Sequence, residues 1–323
     1  LADILEFDDK AVSRAVEVLA RGGLVAIPTE TVYGLAADAA HGEGVAGIFA
    51  AKGRPQFNPL IAHVDSVAMA ERYVTFDAIS RRLAEKFWPG PLTIVLPLKA
   101  KQGTPRPIHP LVTAGLDTLA IRMPNGQVRD VIKNLDSPVA APSANTSGRI
   151  SPTSAQAVAD DLGGKIDLIL DAGPCGVGVE STIVKVDGER VHLLRPGGLA
   201  AEEIEAFLGV KLIRAEHNAA IQAPGMMESH YAPDAAMRLD VKSVKPGEAL
   251  LAFGPKRVAG SEQAIQILNL SESGDLREAA SNLFDFMRKL DATGVVTIAV
   301  EPIPFDGLGE AINDRLKRAA APR

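Results

Sequence analysis

One cysteine, Cys175, is all the thiol chemistry that this 323-residue chain holds. That count rules out an intramolecular disulfide framework and any cysteine-rich zinc site, and it suits a reducing compartment. No apolar run approaches the ~20 residues that a membrane span needs. The opening stretch "LADILEFDDK" lacks the basic flank and apolar core of a secretory signal, and it begins at Leu1 rather than methionine. A cytoplasmic location with no membrane partner is the expectation. Excess positive charge is missing as well: 34 Lys and Arg stand against 40 Asp and Glu, a formal charge of -6. Residues 1–215 carry 22 basic against 25 acidic side chains and the remainder 12 against 15, so neither segment is basic. A general nucleic-acid coat neutralises many phosphates with Lys and Arg and is argued against by this balance. Positive charge has to act locally.

Several signatures are absent too. No G-x-x-x-x-G-K-[ST] loop occurs, and no G-x-G-x-x-G follows a strand, so neither standard phosphate cradle is available. The six histidines are scattered without H-E-x-x-H or comparable spacing, so no metal held by the protein is expected. A G-x-S-x-G elbow is missing, and "SAN" has no S-x-x-K nucleophile to accompany it. Covalent catalysis is unsupported. No internal repeat or low-complexity segment stands out.

What is present reads as an α/β protein with two domains. "DDKAVSRAVEVLARGG" puts Ala11, Val12, Ala15, Val16 and Leu19 on one helical face and stops at a glycine pair. "LVAIPTE", "LTIVLPL", "TLAIRMP", "PVAAPSAN", "DLILDAG", "STIVKV" and "VHLLRP" read as strands, and "FDAISRRLAEKF", "SPTSAQAVADDLG" and "AAEEIEAFLG" as helices. These make a large, mixed, twisted sheet with helices over residues 1–213. Regular patterns stop in a Pro/Gly-bearing connector, placed at 214–235. Residues 236–323 form a small C-terminal α/β domain of Rossmann-like character. There, "EALLAFG", "AIQILNL" and "GVVTIAV" are strands, and "DLREAASNLFDFMRKL" aligns Leu276, Ala279, Ala280, Leu283, Phe284, Met287 and Leu290. Asp275 and Glu278 have the spacing of a capping box.

Four groups of polar residues stand at the ends of apolar runs. In "AAKGRPQFNPLIAHV", Lys52 and Arg54 follow a helix that fails at Gly53 and Pro55, with Asn58 and His63 close behind. Two cations at such a junction can grip one polyanion, Lys as a point charge and Arg as a fork; an isolated K-x-R also serves as a solvated helix cap. "APSANTSGRISPT" carries Ser143, Asn145, Thr146, Ser147 and Ser151, small donors for phosphate or ribose oxygens, or a turn leading to a helix capped by Thr153 or Ser154. "PTETVYGLAADA" gathers Thr29, Glu30, Thr31 and Tyr33, which suits a small zwitterion or an ordinary strand-to-loop turn. "GVESTIV" with Glu180, Ser181 and Thr182, "TLAIRMP" with Thr118 and Arg122, and "LLRPGG" with Arg195 complete the set. A site of cations and hydroxyls suits holding a nucleotide and stabilising charge while phosphate bonds rearrange.

In this order, and followed by "APGMMESHYAP", these segments resemble the YrdC-type threonylcarbamoyl-adenylate synthases in their long, two-domain form, and the resemblance spans essentially the whole chain. It implies a nucleotidyltransferase that condenses L-threonine, bicarbonate and ATP into threonylcarbamoyl-AMP and pyrophosphate. A separate tRNA threonylcarbamoyl transferase complex would receive the product transiently and modify adenosine 37 of tRNA. The resemblance implies that Lys52 and Arg54 are catalytic and that ATP is held by Lys52, Arg54, Asn58, Thr118, Ser143, Asn145, Ser151, Arg195 and Tyr231. Threonine would be held by Thr31, His63, Arg122, Ser181 and the backbone of Ala141, with Arg122 on its carboxylate. Mg2+ is expected with the triphosphate, held mainly by phosphates and water. "APGMMESHYAP" is expected to cover labile intermediates, with Tyr231 reaching the nucleotide. Long-form relatives commonly carry an aromatic and a basic residue before the His-Tyr pair, where this chain has Glu228 and Ser229.

Two other readings remain at this level. An RNA-binding module with a locally basic cavity would bind RNA directly, and direct tRNA binding is left open. A carbamoyl-adenylating domain of the hydrogenase-maturation type is the other, against which stands the lack of an acylphosphatase-like or zinc-finger segment ahead of the domain.

Overall fold

Apolar runs bounded by Pro, Gly or charge become strands, and the amphipathic stretches between them become helices, over residues 1–100, 106–214 and 229–322, which this computed structural model describes. The first unit runs β1 (Asp3–Glu6), α1 (Asp9–Ala20), β2 (Val25–Ile27), β3 (Gly34–Asp38), α2 (Gly42–Lys52), β4 (Ile61–His63), α3 (Val67–Glu71), α4 (Ala78–Phe87), β5 (Leu92–Pro97), α5 (Pro110–Thr113) and β6 (Thr118–Arg122). It continues through α6 (Val128–Leu135), β7 (Val139–Ala140), α7 (Ala155–Leu162), β8 (Leu168–Asp171), β9 (Thr182–Asp187), β10 (Arg190–Arg195), α8 (Ala201–Leu208) and β11 (Ile213–Arg214). The second unit comprises β12 (Ala236–Arg238), β13 (Ala249–Ala252), β14 (Ile267–Asn269), α9 (Leu276–Asp291), β15 (Thr297–Val300) and α10 (Leu308–Ala319).

The first unit builds one 11-stranded mixed sheet in the order β1-β8-β2-β3-β7-β4-β6-β5-β9-β10-β11. The second builds a four-stranded parallel sheet, β12-β15-β13-β14, with α9 packed on β13 and against α10. The expected large mixed α/β sheet with a smaller α/β unit is therefore what forms. Asp8 caps α1 by accepting the Ala11 N–H at 2.7 Å, and Ala11, Val12, Ala15, Val18 and Leu19 are buried. Val18 takes the buried place expected of Val16, which is only half-buried. Ser154 caps α7.

Two local expectations are revised. Only Val139 and Ala140 of "PVAAPSAN" form a continuous strand, because Pro142 has no N–H to continue it, and Ser143 keeps an isolated antiparallel bridge to Gly34. The Pro142 carbonyl accepts the Leu35 N–H at 2.7 Å, and the chain then turns through Ser143 to Asn145. At α9, Asp275 caps Arg277 and Glu278 as expected. Glu278 does not return to the Asp275 N–H, however; the Ser271 hydroxyl accepts that donor and itself donates to Glu278.

The two units share an apolar core. Val32, Ile150 and Val179 of the first pack in one cluster with Leu283, Phe284, Met287 and Ile312 of the second. Gly178 is a point of close approach: its φ is +80°, and a Cβ there would lie 2.3 Å from the Ala280 carbonyl oxygen and 2.4 Å from the Ser281 Cα. Both are α9 backbone and cannot swing aside. Gly178→Ala is therefore expected to cost about 1–3 kcal/mol in denaturant unfolding through overpacking and a strained φ. Gly176→Ala, which meets nothing within 4 Å, is the control expected to stay near wild type.

Candidate active site

α2 ends where Gly53 turns left-handed at φ +60°, its N–H closing onto Ala50 and Phe49. This stop directs Lys52 inward and Arg54 into a neighbouring hollow. Lys52 is 2% exposed, and its Nζ donates to the carbonyl oxygens of Ser143 and Asn145. The Lys52 carbonyl in turn accepts the Ser147 N–H at 2.8 Å. Two segments about ninety residues apart are thus fastened side by side. Arg54, also buried, donates to the Pro59 carbonyl at 2.9 Å and more weakly to Asn58 at 3.4 Å.

The register of parallel strands β4 and β6 sets His63 directly beside Arg122 and Ile61 beside Ala120. Arg122 donates through Nη1 to the Thr31 hydroxyl at 3.0 Å and through Nε to the Gly90 carbonyl at 3.1 Å. Its Nη2 lies 2.7 Å from a Glu30 carboxylate oxygen. Thr31 is held in turn by Thr29, hydroxyl to hydroxyl, at 2.8 Å. Ser181 also lines the hollow, bonded to Thr93 at 2.7 Å, and Arg195 donates to its carbonyl at 2.8 Å. Beneath these groups, Ile61, Val95, Ala120 and Ile183 form a small apolar patch separate from the main core.

The hollow, together with the open space at its mouth, spans roughly 550 Å³. Five of the residues expected on threonine, Thr31, His63, Arg122, Ala141 and Ser181, all line it. Of those expected on ATP, Arg54, Ser143, Arg195 and Tyr231 line it too. Lys52, Asn58, Asn145 and Ser151 are buried behind this wall. Asn145 donates to the Thr146 and Arg149 carbonyls, both at 2.8 Å, and Ser151 donates to Glu180 at 2.5 Å. Thr118 is not brought to the same spot. It opens β6, four residues before Arg122, so it shares the face of Ala120 and Arg122 but lies roughly 13 Å along the strand. Tyr33, by contrast, points into the core and donates to the Gly173 carbonyl at 2.7 Å.

Ser229, His230, Tyr231, Ala232 and Pro233 are the described part of "APGMMESHYAP"; residues 223–228, with Glu228, lie outside the described residues. Tyr231 has φ +64° and is 1% exposed. Its ring stacks on Phe284 at 5.5 Å, and the next residue, Ala232, donates to the Gly148 carbonyl at 2.8 Å. The turn after Tyr231 is fixed by Asp291 of α9, which accepts the Asp234 and Ala235 N–H groups.

Three guanidinium groups, Arg54, Arg122 and Arg195, face the hollow. Burial and then Arg195 lower the Arg54 pKa to about 10, which leaves it charged at neutral pH. Burial and then Arg54 push Lys52 well down, while the two carbonyl acceptors favour keeping its proton. Burial raises the Glu180 carboxyl, but Arg315 and then Arg195 outweigh this and hold it near about 2. The hollow therefore carries an excess of fixed positive charge, the electrostatics of a site for anions.

Sequence reasoning gave four residues no individual role, although it quoted Glu30 and Glu180 within their segments. His230 lines the hollow, Glu30 pairs with Arg122, Glu180 lines the hollow too, and Arg315 of α10 reaches Glu180 from the second unit. A signal for Arg315 existed: it falls on the apolar stripe of Leu308, Ala311, Ile312, Leu316 and Ala319.

Two family models match: one described as "Telomere recombination", the Sua5/YciO/YrdC domain, over residues 17–197, and one described as "Threonylcarbamoyl-AMP synthase, C-terminal domain" over residues 199–321. A Bacillus subtilis relative named threonylcarbamoyl-AMP synthase is 39% identical over 100% of this chain and 96% of its own length. A Pyrococcus abyssi relative of the same name is 40% identical over 96% and 94%. The solved structure of P. abyssi Sua5 complexed with L-threonine superposes with a TM-score of 0.89 at 37% identity, covering 99% of this chain and 98% of that one.

His63 and His230 supply a test of the site's burial. Each is pushed down to about 3, by burial first, with Arg122 adding to the effect on His63, and Arg54 and Lys52 on His230. Both are expected to stay neutral in the fold, so their imidazole NMR signals should not titrate between pH 5 and 8. Unfolded histidine binds a proton near pH 6.5, so stability is fully present above that value. It should fall as the pH drops toward about 3, by up to about 1.4 kcal/mol per pH unit for each residue.

Proposed function

The chain belongs to the threonylcarbamoyl-AMP synthase family, and from that premise we propose that its hollow binds L-threonine beside ATP and joins them through bicarbonate. The enzyme is an L-threonylcarbamoyladenylate synthase, a nucleotidyltransferase of tRNA modification with ATP as a substrate. The observation that carries the site assignment is the convergence of Arg54, Arg122 and Arg195, from three distant segments, on one hollow. Two anionic ends need such a set: an amino-acid carboxylate and a triphosphate.

Arg122 takes the threonine carboxylate, with Thr31 fixing the guanidinium plane and Ser181 and the Ala141 backbone completing the pocket. Neutral His63 can donate to or accept from the threonine hydroxyl, according to its tautomer. The threonine amine, once free of its proton, takes up carbon dioxide from bicarbonate to give a carbamate. A carbamate oxygen then attacks the α-phosphorus of ATP, the bond to the β-phosphate oxygen breaks, and pyrophosphate leaves. Arg54 and Arg195 stabilise the charge that develops on the phosphates. Lys52 and Asn145 shape the wall behind them, while Asn58, Ser143, Ser151 and Tyr231 contact or support the nucleotide. Thr118, farther along β6, suits the end of ATP remote from the threonine.

Magnesium would travel with the triphosphate. Glu180, the carboxylate facing the hollow among the described residues, is engaged by Ser151 and Arg315, and no described cluster of three His, Cys, Asp or Glu residues offers a cage. A protein-held ion therefore does not fit, whereas phosphate and water ligation does. We assign residues 1–213 to catalysis, 214–235 to the connector and 236–323 to the small domain. The product passes to the tRNA threonylcarbamoyl transferase complex in the cytoplasm. No helix among the described residues is long and apolar enough to cross a membrane.

Pyrophosphate release from ATP should require both threonine and bicarbonate. Arg54→Ala should lower it by about 100-fold or more, the scale of removing one charge-stabilising donor, while its circular dichroism stays native. Release that continues without threonine, or an RNA gel shift without any release, contradicts the proposal.

A further inference from the structure

Arg315 occupies a position on α10 that its helical register reserves for an apolar side chain, and it is 0% exposed. Water cannot satisfy a guanidinium there, so the protein must. Its Nε donates to a Glu180 carboxylate oxygen at 2.8 Å and its Nη1 to the Pro196 carbonyl at 2.9 Å and to Asp314 at 2.7 Å. The guanidinium also lies 5.1 Å from the centre of the Tyr231 ring. Two of these partners belong to the 180–196 segment, which also carries Ser181 and Arg195. One cation of the small domain thus touches the back of the hollow at several points.

Glu180 makes this arrangement more than a tie between domains. Its carboxylate lines the hollow, and its second oxygen accepts the Ser151 hydroxyl at 2.5 Å. A triphosphate entering the hollow brings several negative charges beside that carboxylate. Without a counter-charge, Glu180 would repel the phosphates and draw Arg195 and Lys52 toward itself, away from the ligand they face or support. With Arg315 in place it can hold Ser151 while presenting no net charge to the hollow.

We propose that Arg315 is a positioning residue for the nucleotide, neutralising Glu180 from α10 so that Ser151 and the hollow's cations remain available to the triphosphate. The inference rests on the reading of this hollow as the ATP site. It gives the small domain a defined part in the reaction, at the phosphate end and not at the threonine end.

The test measures pyrophosphate release by the full chain in four forms: wild type, Arg315→Met, Glu180→Gln, and the double variant. Arg315→Met should raise the KM for ATP by about ten-fold or more, as expected when a buried charge loses its partner, and leave the KM for threonine within about three-fold of wild type. Adding Glu180→Gln should restore most of the ATP affinity, because the neutral amide still accepts the Ser151 hydroxyl and no longer repels phosphate. A double variant no better than Arg315→Met, or equal losses for ATP and threonine, overturns the proposal in favour of a merely structural tie. Should Arg315→Met not fold, Arg315→Lys makes the complementary comparison: it keeps the charge beside Glu180 and should hold the ATP KM within about three-fold. An ATP-selective loss as large as ten-fold in that folded variant also overturns it. Wild-type chain that releases no pyrophosphate with threonine defeats the reading of the site itself, which separates the two failures.

Discussion

The grip of the Lys52 ammonium on the Ser143 and Asn145 carbonyls is the contact on which the geometry of the hollow depends. It locks the end of α2 to the turn after β7, and so decides that Arg54 and Ser143 face the same space. A buried ammonium is costly to desolvate, and two carbonyl dipoles offset that cost only at this separation. Charge that looks available for a ligand is here used first to hold the wall, and Arg54, two residues later, is left to face the cavity.

The same economy recurs across the domain junction. Tyr231 adopts a left-handed backbone and packs against both Phe284 of α9 and the Arg315 guanidinium of α10. Gly178 brings the loop before Ser181 against α9 without a side chain intervening. The small domain therefore supports the rear of the site through packed, buried contacts, although most of the residues facing the hollow come from strand ends and loops of the first unit.

Much of this was legible in the amino-acid sequence. Apolar runs ending in Pro, Gly, Ser or Arg marked strand ends, and the residues quoted from them, Thr31, Arg54, His63, Arg122, Ser143, Ser181 and Arg195, meet in one place. The helix stop at Gly53 was legible because only a left-handed turn follows there. What was not legible depends on partners far away in the chain. Nothing in K-G-R-P says that Lys52 turns inward to carbonyls ninety residues on, or that Glu278 prefers Ser271 to its own cap. Arg315 reads as one more charge on a basic helix until its register is counted, and even then its partner Glu180 is 135 residues away. Thr118 shows another limit: it opens β6, roughly 13 Å along the strand from Arg122, a separation that the motif itself does not display.

A crystal structure of the chain with L-threonine and a non-hydrolysable ATP analogue tests the account most directly. It predicts the threonine carboxylate on Arg122, triphosphate oxygens within hydrogen-bonding reach of Arg54 and Arg195, and the Ser143 turn still beside the end of α2. A nucleotide bound on another face, or a triphosphate that neither arginine reaches, would contradict it.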